Sequence, residues 1–234
     1  MPDITGSRPG TPERSNTPER PDSAAARPTT YGSFWKAHDG GLPWYTWMYE
    51  SRLDQHQAFA RWFEAADAIS PVGSVVEFGC GLAVGYAELF ADREYVGIDI
   101  AEQCVDWCRA NRVHPGHDYW AGDFIRNDWP RRFDLVLSQG TIDNTYDMDE
   151  FLRSAVAASR QWLYVTAYRG YFPSLHEHEY SWSAEHGCYY NNLSPARAYR
   201  TLRDAGCTDV AIVPSHTGRE IPFETLIVAR VADA

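Results

Sequence analysis

A chain of 234 residues carrying a net charge of −11 has room for one α/β domain with modest additions. The acid excess argues against a nucleic-acid partner, because phosphate contacts need clustered Lys and Arg and no such cluster appears. No apolar run reaches membrane-spanning length, no secretory signal pattern opens the chain, and Cys80, Cys104, Cys108, Cys188 and Cys207 lack staple-like or CxxC spacing. The expectation is therefore a cytoplasmic protein with no disulfide framework, no structural zinc and no membrane association.

Residues 1–30 are rich in Pro, Ser, Thr and Arg and repeat Thr-Pro-Glu-Arg at Thr11–Arg14 and Thr17–Arg20. Such a stretch buries too little apolar surface to offset its ordering entropy and reads as a disordered tail. Residues 31–71 switch to aromatic composition, with Tyr31, Phe34, Trp35, Trp44, Tyr45, Trp47 and Tyr49 broken by Gly40, Gly41 and Pro43. Phe59, Trp62, Phe63 and Ala66 then share one helical stripe, closed by Pro71 and Gly73. The segment reads as a helical cover whose rings wall a substrate pocket, attract a cationic group, or simply pack on a sheet.

From residue 72 to 234 strands and helices alternate, the pattern of a parallel sheet. Strands are expected over Ser74–Phe78, Glu94–Ile100, His117–Phe124, Phe133–Gln139, Trp162–Tyr168, Asp209–Val213 and Thr225–Val231. Helices are expected over Val84–Phe90, Ala101–Arg112 and Asp147–Arg160, and from an N-cap at Ser194, with Pro195 at the first helical position, to a glycine stop at Gly206. Cys104 and Cys108, one turn apart, read as packing or surface thiols.

The stretch Val75 to Tyr86 carries the chemistry. Gly79 and Gly81 let the backbone turn sharply after a buried strand and let a ligand approach the main chain. Strand, glycine turn and helix make a nucleotide-cofactor corner. Val84 stands where a dinucleotide fingerprint wants Gly or Ala, and Glu77 would repel a pyrophosphate. An acid there suits S-adenosylmethionine, which has no phosphate and carries an ammonium and a sulfonium. The bland reading is a glycine-rich turn with no ligand.

Glu77-Phe78-Gly79-Cys80-Gly81 resembles motif I of the class I S-adenosylmethionine-dependent methyltransferases, with Ala83 where a third glycine often occurs. The resemblance covers roughly residues 72–232. It implies a three-layer, doubly wound α/β fold: a seven-stranded, mostly parallel sheet with an antiparallel last strand, plus an N-terminal helical lid. Asp99 lies 18 positions beyond Gly81, near the offset at which an acid grips ribose hydroxyls. Ala121-Gly122-Asp123-Phe124 resembles the third motif, in which Asp123 would meet the adenine amino group with Phe124 stacking on or flanking the base. The strand ending at Gln139 resembles the fourth, facing the methionine end of the cofactor. The implied cofactor-binding set is Glu77, Gly79, Cys80, Gly81, Asp99, Ile100, Asp123, Phe124 and Gln139.

The loop Gln139–Asn144 lacks the Asn/Asp-Pro-Pro-aromatic motif of methyltransferases acting on base amines, and no Pro-Cys nucleophile is present. Both absences, with the negative charge, count against DNA or RNA as substrate. The expected acceptor is a small molecule, methylated at oxygen or nitrogen; the aromatic cover suits a flat or cationic specialised metabolite. Residues 169–192 form an insertion over the acceptor side, where His176, His178 or His186 could serve as general base. His176 and His178 on an extended strand, completed by Asp143, would also make three metal ligands, but Ala167-Tyr168-Arg169 stands where metal-dependent relatives carry an acidic pair, so no metal is expected. The rival readings are a non-catalytic protein that binds S-adenosylmethionine and engages a protein partner, and a Rossmann oxidoreductase binding NAD.

Overall fold

The structure, a computed structural model, describes residues 28, 30–37, 41–126, 128–216 and 223–232. The tail expected over residues 1–30 lies outside these residues apart from Pro28 and Thr30. Strand β1 (Ser74–Phe78) is buried along its whole length, as its Val-rich sequence requires of a central parallel strand. It pairs in parallel with β2 (Glu94–Asp99) on one side and β4 (Phe133–Gln139) on the other. Beyond β2 lies β3 (His117–Ala121), and beyond β4 lies β5 (Ser159–Ala167). The insertion after β5 contributes a two-residue hairpin, β6 (Trp182–Ser183) with β7 (Cys188–Tyr189). Strand β8 (Cys207–His216) closes the sheet edge, and β9 (Phe223–Val231) runs antiparallel between β5 and β8.

The sheet order is β3-β2-β1-β4-β5-β9-β8, so strand order reverses between β1 and β4 and opens a crevice at their carboxyl ends. Alternation along the strands fills both faces. Val75, Leu135 and Tyr164 pack under α3 (Leu53–Ile69), α4 (Tyr86–Leu89) and α5 (Glu102–Asn111), which supply Phe59 and Phe63, Tyr86, and Val105 respectively. Val76, Val136 and Val165 pack against α6 (Met148–Ala158) and α7 (Pro195–Asp204) on the opposite face. Three layers result.

Caps explain two of the helix starts. Asp147 accepts from the Glu150 N–H at 3.0 Å and Ser194 from the Arg197 N–H at 3.1 Å. Helix α4 is shorter than its apolar pattern suggests, because Gly81, Ala83 and Gly85 all take positive φ and no right-handed turn can start before Tyr86. Strand β3 stops at Ala121, where Gly122 turns the chain, and β5 begins earlier than expected because the backbone is already extended at Ser159.

The N-terminal segment divides in two. Helix α3 belongs to the core: Phe59 is fully buried and its ring lies 4.8 Å from that of Tyr164. Burial of a side chain this large contributes about 2 kcal/mol. Helices α1 (Ser33–Ala37) and α2 (Gly41–Glu50) bury no residue completely and lie over the carboxyl ends of the strands. Among the described residues no helix is long and apolar enough to cross a membrane, and all five cysteines are buried free thiols.

Candidate active site

The turn after β1 is tied to β2. Gly79 and Cys80 donate to the Ile98 carbonyl at 2.8 and 3.2 Å, and Gly81 donates to Asp99 Oδ2 at 2.9 Å. Asp99 Oδ1 accepts from Ala101 N at 2.8 Å, so this carboxylate anchors the turn and the start of α5 together. A Cβ at Gly81 would meet the Tyr45 ring of α2. Close approach at Gly81 is thus made by a lid side chain, whose hydroxyl lies 3.1 Å from Cys104 Sγ.

Between turn and lid lies an open-mouthed cavity of about 90 Å³, lined by Arg52, His56, Glu77, Gly81, Tyr86 and Gln139 among others. Glu77 sits at its floor and accepts from the Tyr95 hydroxyl. Burial pushes its carboxyl up to about 8; the Tyr95 hydrogen bond pulls the other way and the nearby Asp99 adds to the rise. Among the described residues no cation pairs with Glu77. Both polar atoms of the Gln139 amide are buried without a partner. Orphaned groups of this kind are expensive in a closed core and normal in a ligand site. The residues therefore fit a polar, cation-bearing cofactor.

Register places the three acids in order, with Glu77 opposite Gly97, Asp99 opposite Ala121, and Asp123 two residues past that tip. Asp123 accepts from Ile125 N at 2.9 Å and from the Tyr146 hydroxyl at 3.1 Å. Phe124 departs from the expectation. Its ring stacks on Phe78 at 5.5 Å and meets Phe151 edge-on in the α6 core, because the chain has already turned at Gly122. Ile100 is partly buried against the same core and lies under Gly32, and Cys80 packs its sulfur beside Gly97.

The three candidate histidines separate. His176 is exposed. His178 is buried behind α7, accepting at Nδ1 from Ser194 N at 3.0 Å, with Nε2 3.5 Å from Asp149 Oδ1. His186 pairs Nδ1 with the Tyr190 hydroxyl at 2.9 Å and lies 5.8 Å, ring to ring, from Phe34 of α1. Asp143 is fully buried and accepts from Tyr168 N at 2.8 Å; burial pushes its carboxyl up to about 7. Among the described residues no three His, Cys, Asp or Glu side chains gather as metal ligands.

Sequence reasoning passed over Arg52 and His56. His56 lines the cavity, with Nδ1 against the Tyr86 hydroxyl and its ring stacked 4.0 Å from Tyr49. Both lie on the stripe that continues into Phe59 and Phe63, and a polar residue on an apolar stripe is the signal that could have found them.

Residues 76–161 match a family model described as a methyltransferase domain. No curated protein matches the chain. Among solved structures, magnesium protoporphyrin IX methyltransferase from Synechocystis PCC 6803, with bound S-adenosylhomocysteine, aligns with TM-score 0.61 and 12% identity over 86% of this chain and 97% of that one. An amino pentose methyltransferase from Micromonospora echinaspora, with bound S-adenosylmethionine, aligns with TM-score 0.58 and 17% identity over 80% and 96%. The N-terminal domain of EvdMO1, solved in the presence of S-adenosylhomocysteine and D-fucose, aligns with TM-score 0.58 and 18% identity over 75% and 82%. At these identities the likeness is one of fold.

Proposed function

We propose that this chain, whose residues 76–161 match a methyltransferase-domain model, uses S-adenosylmethionine to transfer a methyl group to an oxygen or nitrogen of a small-molecule acceptor. The observation that carries the reading is the cavity at the glycine turn, where a buried carboxylate without a cation and an amide without a partner await a polar ligand. The cofactor, when bound, supplies an electrophilic methyl group on sulfur. The chain's own work is alignment, exclusion of water and, for a hydroxyl acceptor, removal of a proton.

In this reading Glu77, the Gly79–Gly81 turn, Asp99, Asp123 and Gln139 hold the cofactor. The rings of α1 and α2 and residues 169–192 enclose the acceptor. Support for one enclosure comes from the lid and the insertion meeting directly: Gly32 N donates to Gly187 O at 2.8 Å, and the Tyr31 ring lies 6.4 Å from that of Tyr189. Of the three histidines, His186 is assigned as the base, because its Tyr190 and Phe34 neighbours belong to that enclosure while His178 is committed behind α7. A specialised metabolite suits the aromatic walls. The relatives named for a porphyrin and for an amino pentose act on small molecules, in keeping with this class.

The test is turnover of S-adenosylmethionine against a panel of hydroxylated and aminated small molecules, read by mass spectrometry. The expected result is S-adenosylhomocysteine together with one methylated acceptor, and a lower kcat for His186→Ala. Tight S-adenosylhomocysteine binding with no methylated product from any acceptor would instead favour the non-catalytic reading, and preference for NAD the oxidoreductase one.

A further inference from the structure

An acid and a base face this cavity without pairing with each other. Glu77 lies at its floor, and Arg52, at the junction of α2 and α3, stands at its wall. No ion pair joins them, and the Tyr86 hydroxyl lies within electrostatic reach of both. Arg52 has no carboxylate partner among the described residues, and its Nε is buried without an acceptor. Its guanidinium carbon lies 5.6 Å from the Tyr168 ring centroid, and Nη1 stands 2.9 Å from where a Cβ of Gly140 would be. Gly140 has φ +64 and follows Gln139, the residue whose amide is also without a partner.

A guanidinium without an acidic partner and a carboxyl group without a counter-charge, held apart in one cavity, are complementary to a single carbon bearing a carboxylate and an ammonium. We infer that Arg52 binds the α-carboxylate of the cofactor's amino-acid end while Glu77 takes its ammonium, so that the lid closes by recognising the part of the ligand furthest from the base. This rests on the methyltransferase reading above and adds a residue that the motif resemblance does not supply. A guanidinium suits the task because it can present two parallel N–H donors to a carboxylate.

The experiment is calorimetric titration of the full chain with two probes, S-adenosylhomocysteine and 5′-methylthioadenosine; the second keeps the nucleoside thioether and lacks the amino acid. Wild type should bind the first at least tenfold more tightly. Arg52→Gln should weaken S-adenosylhomocysteine by about 30-fold, the loss expected for one charge-assisted contact, and leave 5′-methylthioadenosine within about threefold, with Arg52→Lys in between. Equal losses for both probes would mean that Arg52 only props the lid, and no loss for S-adenosylhomocysteine would mean that it faces something else; either result overturns the inference. If wild type binds neither nucleoside, the cofactor reading itself fails and takes the inference with it. Circular dichroism of both variants separates misfolding from lost recognition, and Arg52→Lys keeps the test available if Arg52→Gln does not fold.

Discussion

Two buried carboxylates on opposite faces of the sheet have opposite fates. Asp149, at the start of α6, is 3% exposed and receives Arg197 Nη2 at 2.9 Å and the Thr201 hydroxyl at 2.6 Å, with His178 Nε2 at 3.5 Å. Burial pushes its carboxyl up, but the nearby His178 imidazole and the hydrogen bonds of Arg197 and Thr201 outweigh that and hold it well below the usual range. Glu77 is 4% exposed and has one neutral donor, so burial wins. The protein supplies a counter-charge where the carboxylate joins helices α6 and α7. It withholds one at the glycine corner. A buried acid without a counter-charge is the kind of group found where a ligand completes a site.

Substitution should expose this difference most strongly. Asp149→Asn leaves the partly exposed Arg197 and the Thr201 hydroxyl facing a neutral amide and should cost about 3 kcal/mol of unfolding free energy. Glu77→Gln keeps an acceptor for the Tyr95 hydroxyl and removes a group that must take up a proton to be buried at pH 7.5, so at that pH it should gain about 2 kcal/mol in the absence of ligand. Urea midpoints of both variants check this. Equal losses would show that the two carboxylates are the same kind of structural group.

Acidity sharpens the contrast further. Glu77 rises from 4.5 to about 8 and Asp143 from 3.8 to about 7, so between those limits the folded chain keeps protons that the unfolded chain has released. Their contribution to stability must therefore fall as pH rises through this window. Asp149 behaves oppositely, its contribution fading only as pH drops below the ordinary carboxylate range. An ammonium arriving at Glu77 expels its proton, so S-adenosylhomocysteine affinity should climb by up to about tenfold per pH unit below pH 8 and then level off. Titrations across pH 6 to 8.5 read this directly, and Glu77→Gln should flatten the slope.

How much of this was written in the sequence follows from what each signal measures. Strands β1 and β4 run over the expected residues, because buried central strands are continuous apolar runs bounded by turns, and the Ser194-Pro195 start of α7 is local capping chemistry. The length of α4 was not legible, since it depends on positive φ angles at three alternate positions, Gly81, Ala83 and Gly85. Phe124 could not be placed from its motif, because which way a residue faces after β3 depends on where Gly122 bends the chain. His178 and His186 looked equivalent in an aromatic, polar insertion. They differ only through Ser194 and Asp149 on one side and Tyr190 on the other, contacts made by distant residues. The significance of Arg52 lies in a buried Nε without an acceptor, which no local sequence pattern records.

The smallest effect belongs to Ala83, the one described residue other than glycine with positive φ. It stands where the resembling family often has a third glycine, and the turn gives it φ 50. Ala83→Gly relieves about 1 kcal/mol of left-handed strain. It also forfeits a methyl that is 1% exposed in the α4 core, about 0.8 kcal/mol, and adds some backbone freedom to the unfolded chain. The opposing terms nearly cancel, so thermal unfolding should show a stability change within about 0.5 kcal/mol. That balance explains how alanine can occupy the position at all. A loss beyond about 2 kcal/mol would show that the buried methyl, packed beneath the glycine turn, matters more to this corner than its strained backbone does.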